Sequence, residues 1–149
     1  MHSRNDITFI AADDKLKTRI QQEWPSNAGD FICLDENSFS LVALAAGTPV
    51  GAVSAHKRAL AEPLCTLHEA FISIVEVSED YRRRGIGRAL VEAVIAWAGR
   101  EGMFQVGAWS MKTRSEVLHL WRKLGFTFAQ IDTPQQTEAP YGFYVTKRI

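Results

Sequence analysis

The segment from Leu67 to Trp109 constrains the fold more than any other part of the chain. Leu67 to Val77 is a long apolar run containing Phe71, Ile72, Ile74, Val75 and Val77. Its β-branched residues mark a central strand, because branched side chains pack well on a pleated surface. The period then changes. Ile86, Leu90, Val94 and Trp97 recur at i, i+4, i+8 and i+11, so a helix with one buried face follows, and Gly102 stops it. Phe104 to Trp109 reads as another strand. A strand, a helix and a second strand in this order demand a parallel crossover.

The flanking segments add antiparallel strands. Asp6 to Ala11 predicts a first strand, and Asp13 caps a helix through about Trp24, with Leu16, Ile20 and Trp24 on one face. Phe39 to Ala46 turns at Gly47-Thr48 into Pro49 to His56, a hairpin signal, and Lys57 to Pro63 reads as a polar connection. Ser115 to Leu124 predicts a helix stopped by Gly125, and Phe126 to Ile131 and Tyr141 to Thr146 predict two last strands joined by residues 132–140. The expected architecture is α/β, a mixed sheet packed with helices, in a single domain over residues 5–149.

Charge narrows the function. Seventeen Lys and Arg balance seventeen Asp and Glu. Extended nucleic-acid binders carry a basic excess, so that class is disfavoured. No apolar run reaches the roughly 18 residues of a membrane span, and the N-terminus lacks the apolar stretch of a signal peptide, which predicts a cytoplasmic protein. Cys33 and Cys65 are expected to be buried reduced thiols. His2, His56, His68 and His119 have no metal-ligand spacing, so no metal is expected.

The segment that carries chemistry runs from Val75 to Leu90. A buried strand enters an Arg-rich turn, and Gly85 and Gly87 open the helix. Glycine permits positive φ or close approach to a backbone. The free N–H groups of a first helical turn, at the positive end of the helix dipole, suit a phosphate or pyrophosphate. Four of the basic residues, Arg82, Arg83, Arg84 and Arg88, surround the same point. The P-loop pattern is absent, and the dinucleotide fingerprint fails because Leu90 stands at its third glycine.

A third pattern fits. Arg82-Arg83-Arg84-Gly85-Ile86-Gly87 resembles the coenzyme-A pyrophosphate loop of the GNAT superfamily of N-acetyltransferases, in which Gln or Arg, two residues, Gly, one residue and Gly or Ala follow a strand. Leu118 to Phe126, ending in Leu124-Gly125-Phe126, resembles a later helix of that family. The resemblance implies a GNAT-like fold: a central mixed sheet with a V-shaped splay, flanked by helices on both faces. It implies acetyl transfer from acetyl-CoA to an amine of a small molecule or peptide by direct attack. The backbone of Val75, Glu76 and Val77 would contact the pantetheine arm, and the Val77 amide would stabilise the oxyanion. The loop residues Arg82, Arg83, Arg84, Gly85, Ile86, Gly87 and Arg88 would hold the pyrophosphate. The implied partners are acetyl-CoA and an amine acceptor, with no nucleic acid and no membrane; a homodimer is allowed. The alternative is a non-catalytic acyl-CoA-binding regulatory module of the same fold.

The chain departs from that family at its usual catalytic positions. An Asn falls on Arg114, a Tyr thiolate donor on Trp121 and a Glu base on Trp109. Glu76 becomes the sharpest base candidate, being a carboxylate inside an apolar strand beside the cofactor loop. Tyr144 is the candidate acid, with aromatic packing as its other reading, and Tyr141 is expected to border the same cleft. Glu69 and His68 are expected at a solvated strand end, Ser73 to bond backbone, Trp109 to line the acceptor pocket, and Trp24, Trp97 and Trp121 to fill the core. His119 is expected on the surface. The acceptor pocket falls on residues 13–38, 57–66 and 132–140.

Overall fold

The computed structural model describes residues 6–111, 115–131 and 142–149. Seven strands form one sheet in the order β1-β2-β3-β4-β5-β7-β6. They are β1 (Ile7–Ala11), β2 (Ser38–Ala45), β3 (Thr48–Ala59), β4 (His68–Val77), β5 (Gln105–Met111), β6 (Thr127–Ile131) and β7 (Gly142–Arg148). The helices are α1 (Asp14–Glu23), α2 (Ile86–Arg100) and α3 (Ser115–Lys123), with short 3-10 turns at Ala28–Phe31 and Glu79–Tyr81. Among the described residues only β4 and β5 pair in parallel, joined by α2, as the crossover requires. Residues 132–140 and Tyr141 lie outside the described residues.

Each helix forms where its sequence pattern places it. Asp13 caps α1, its carboxylate accepting the Leu16 amide at 2.8 Å. Helix α2 buries Ile86, Leu90, Val91, Val94 and Ala98 against β2, β3, β4 and β5, and Trp97 stacks on Phe39 with ring centroids 5.6 Å apart. Burying each of the larger aliphatic side chains contributes roughly 1.5–3 kcal/mol. Helix α3 adds Trp121 to the same core, and Phe126 packs on it at 4.8 Å. On the other face, α1 sets Leu16 and Ile20 against Val42 and Ala52. The sheet is therefore covered by α2 and α3 on one side and by α1 on part of the other.

Strand β3 is longer than the sequence suggested. The polar stretch from Lys57 continues as strand to Ala59, paired with β4 down to His68. Polar side chains suit that end because Arg58 lies over the Phe71 ring at 3.8 Å and reaches Glu69 at 2.6 Å. The expectation of two buried thiols also fails. Cys33 is half-buried, and Cys65 is exposed in the β3–β4 connection, its thiol donating to Glu62 at 3.2 Å.

Two irregularities position the site. The β3–β4 register shifts between Ser54 and Ala55, where Ser54 faces Ile74 but Ala55 faces Ile72, so Ser73 is an extra residue on β4. A bulge of this kind bends its strand. Pairing between β4 and β5 ends one residue earlier, at Ile72 and Ala108. Beyond that point the two strands part, which is the expected V-shaped splay.

Candidate active site

The parted strands enclose a cleft of about 110 Å³, lined by Ile72, Ser73, Ile74 and Val75 of β4, Ala108, Trp109 and Ser110 of β5, and Val117 and Trp121 of α3. Its wall on β4 is a backbone edge with no strand partner among the described residues. The Ser78 amide donates to Val50 at 2.8 Å. Antiparallel bonding alternates, so Ile74 and Glu76 also turn their peptide groups to β3. Val75 and Val77 turn theirs the other way, into the cleft. The Val77 carbonyl there accepts the Arg82 Nε at 2.9 Å, and the Val77 amide has no acceptor among the described residues. The expectation that Glu76 would offer its backbone to a ligand is corrected: its backbone belongs to the β3 ladder.

At the wide end of the cleft the chain enters the turn before α2. Arg83 has φ 65° and Gly85 φ 84°, two left-handed residues separated by one, a conformation that turns successive amides inward around an anion. Among the described residues, the amides of Arg83, Arg84, Gly85, Ile86, Gly87 and Arg88 donate to no backbone carbonyl; the first bond of the helix is Ala89 to Gly85 at 3.0 Å. The side chains divide their work. Arg82 braces the turn through Val77, Arg84 lies over the Tyr81 ring at 4.8 Å, and Arg88 meets Glu92 at 3.1 Å on the exposed face. Gly87 is required neither by conformation nor by crowding. A Cβ there would meet only Leu120 at 3.6 Å and Val77 at 3.7 Å, ordinary contact distances.

The α1 face of the cleft holds the polar chemistry. Glu76 is half-buried there, and Ser26, just beyond α1, donates to its Oε2 at 2.9 Å. The segment after α1 is pinned across the sheet. Ser40 donates to the Cys33 carbonyl at 2.6 Å, and the Cys33 amide donates to Ser54 at 2.8 Å. Ser73 Oγ lies 3.0 Å from the Phe31 carbonyl, its backbone bond matching expectation. The Phe31 carbonyl is thereby tied to Ser73 in the cleft wall, and Phe31, 46% exposed, and Trp109, 43% exposed, keep large apolar side chains at the surface. Trp109 lines the cleft, its indole lying against the Gly142 backbone.

A second polar cluster lies farther along the same face, and the sequence reading missed it. Glu69 is not a solvated strand end but fully buried. Its Oε2 accepts Arg58 at 2.6 Å, and its Oε1 accepts Gln105 at 2.8 Å and the Tyr144 hydroxyl. A buried carboxylate persists only with such partners. Gly107 makes space for it, since a Cβ there would overlap Glu69 Oε1. Tyr144 therefore points its hydroxyl at Glu69 and not at the cleft, which corrects its expected role as the acid. Burial first, and then the Glu69 bond and charge, hold its phenol above the usual 10.0. The available signal was Arg58 opposite Glu69 in adjoining strands, with a glycine on the third.

The remaining expectations divide. Trp121 is buried at 1% exposure, and its indole N–H donates to Ser110 at 3.1 Å. Trp24 and Trp97 are partly buried against the two cores, and His119 is exposed. His68 is half-buried, its carbonyl accepting the Phe104 amide at 2.8 Å. Arg114 and Tyr141 lie outside the described residues.

Comparison with known proteins agrees with this geometry. The model of the acetyltransferase (GNAT) family matches residues 3–126. NAA60 of Arabidopsis thaliana, solved with a bisubstrate analogue, superposes with a TM-score of 0.75 at 15% identity, over 95% of this chain and 97% of that one. The ribosomal-protein-S18-alanine N-acetyltransferase of Escherichia coli gives 0.73 at 18% identity, over 96% and 94%. Naa50 of Arabidopsis thaliana, bound to the bisubstrate analogue CoA-Ac-MVNAL, gives 0.69 at 18% identity, over 95% and 97%. At these identities the likeness is one of fold. No curated protein sequence matches the chain.

Proposed function

The chain belongs to the GNAT acetyltransferase family, and from that premise we propose that it is an N-acetyltransferase moving acetyl from acetyl-CoA to a primary amine. One observation carries the reading: β4 and β5 separate beyond Ile72 and Ala108, and the opening leads from an unpaired backbone edge to a turn of free amides. An anion with a long hydrogen-bonding arm matches both parts. The amides from Arg83 to Arg88 bind the pyrophosphate, while the helix dipole and Arg side chains add charge. Val77 and then Val75 bond the arm as a neighbouring strand would.

The cleft crosses the sheet, so its two faces divide the substrates. The arm lies on the α2 and α3 side, and the amine enters from the α1 side beside Trp109. The Val75 amide lies nearer the closed end than the Val77 amide named from the resemblance. We assign to it the charge that develops on the thioester oxygen. Glu76 takes the amine proton, directly or through a water, and Ser26 fixes its orientation through Oε2. Holding both reactants at one gap supplies much of the acceleration. The similar structure bound to CoA-Ac-MVNAL favours a peptide amine over a small free one.

The test is thiol release from acetyl-CoA across an amine panel of peptides, polyamines, aminoglycosides and amino acids. Turnover with a peptide or other amine is the expected result. A thermal shift with CoA but no reacting acceptor favours the binding-module alternative. The absence of both turnover and a thermal shift overturns the proposal.

A further inference from the structure

Ser110 and Trp121 form a buried polar pair that packing alone does not explain. Ser110 is 3% exposed, lies on β5 two residues beyond the last pairing with β4, and lines the cleft. Trp121 comes from α3, on the same side of the sheet, and its indole donates to Ser110 Oγ at 3.1 Å. An indole N–H can only donate, so Ser110 is the acceptor in this bond. The bond occupies one lone pair of the serine oxygen and fixes its place. The serine hydrogen is not used by it and has no acceptor among the described residues. A buried hydroxyl with an unspent donor needs an explanation.

Position supplies one. Ser110 lines the same cleft as Ile74 and Val75 of β4, the strand whose Val75 amide is assigned to the thioester oxygen. On the reading given above the arm runs on the α2 and α3 side of the gap, the side on which Ser110 and Trp121 line the cleft. We propose that Ser110 donates a hydrogen bond to the departing sulfur and that Trp121 is the positioning residue that aims it. The assignment rests on reading the cleft as the arm site. The amine nitrogen forms its bond to the carbonyl carbon, the carbon–sulfur bond breaks, and the electron pair leaves on sulfur. The amine proton goes to Glu76 or its water. Ser110 keeps its own proton and stabilises the thiolate through it, so no ionisation of serine is needed.

The thiol of CoA itself reports this contact without any acceptor. Ultraviolet absorbance of the thiolate, followed against pH in the protein–CoA complex, gives the pKa of the bound thiol. A hydrogen bond to a thiolate is strong enough that Ser110→Ala raises that pKa by about one to two pH units relative to the native complex. Trp121→Phe keeps an aromatic ring on Phe126 but removes the N–H, and raises it by a smaller amount in the same direction. With an acceptor, Ser110→Ala lowers kcat roughly tenfold to a hundredfold and leaves the KM for acetyl-CoA within about threefold, since the contact strengthens as charge builds. A thiol pKa unchanged in a Ser110→Ala protein that still binds CoA overturns the assignment. If that variant does not fold, an unchanged value in Trp121→Phe does so. Failure of the native protein to bind CoA overturns the arm-site reading itself, an outcome distinct from the others.

Discussion

Glu69 is the residue at which the α1 face is most sensitive. Its carboxylate is fully buried and shared among Arg58, Gln105 and Tyr144, and it occupies the space that Gly107 leaves open. Gly107→Ala therefore pushes a methyl group into a bonded carboxylate, and urea unfolding is expected to show a loss of about 1–3 kcal/mol. Tyr144→Phe removes one donor, with a similar cost near neutral pH. The two tyrosine states also separate at high pH. A phenol raised by folding contributes stability that is fully present below its unfolded value of 10.0 and is lost as pH rises through the folded one. Unfolding titrations above that pH should show native stability falling more steeply than that of Tyr144→Phe. Glu76 is a different case, because among the described residues its carboxylate accepts from one neutral partner, Ser26. Glu76→Gln keeps that bond and removes the base, so kcat should fall about a hundredfold or more with little change in Tm. Unaltered kcat would remove Glu76 from the mechanism.

At the scale of elements, the turn before α2 and the bulge in β4 were unequally legible. The turn was readable because its requirements are local: glycines, arginines and a helix start lie within seven consecutive positions, Arg82 to Arg88. The structure adds that Arg83 shares the left-handed conformation with Gly85, which no local rule signals for an arginine. The bulge at Ser73 was not readable, because it exists only relative to β3, and nothing in Phe71 to Val75 marks an extra residue. The Glu69 cluster was hidden for the same reason: its four members come from four different strands, and β7 enters last. Gly87 gives this element its own prediction. Since a Cβ there meets no crowding and φ is ordinary, Gly87→Ala should leave Tm unchanged or slightly raised, alanine being the better helix former. Its effect should appear in CoA affinity, weakened because the added methyl stands beside Val77 at the entrance to the cleft. Calorimetry showing equal affinity would mean that the ligand does not pass this glycine.

For the whole molecule, the crossover fixed the parallel pair and the helices fixed which faces were covered, but function comes from where the sheet fails to close. Zero net charge over 149 residues still leaves four arginines, Arg82, Arg83, Arg84 and Arg88, gathered at one turn. The central claim is that the arm of CoA completes the sheet between β4 and β5. The free backbone edge makes this testable residue by residue. Val75 and Val77 offer amides to the gap, whereas the Glu76 amide is already paired with β3. Amide hydrogen exchange, resolved by NMR with and without CoA, should show Val75 and Val77 gaining protection while the Glu76 amide, between them, stays as it was. Unchanged exchange at Val75 and Val77 in the presence of bound CoA would contradict the account.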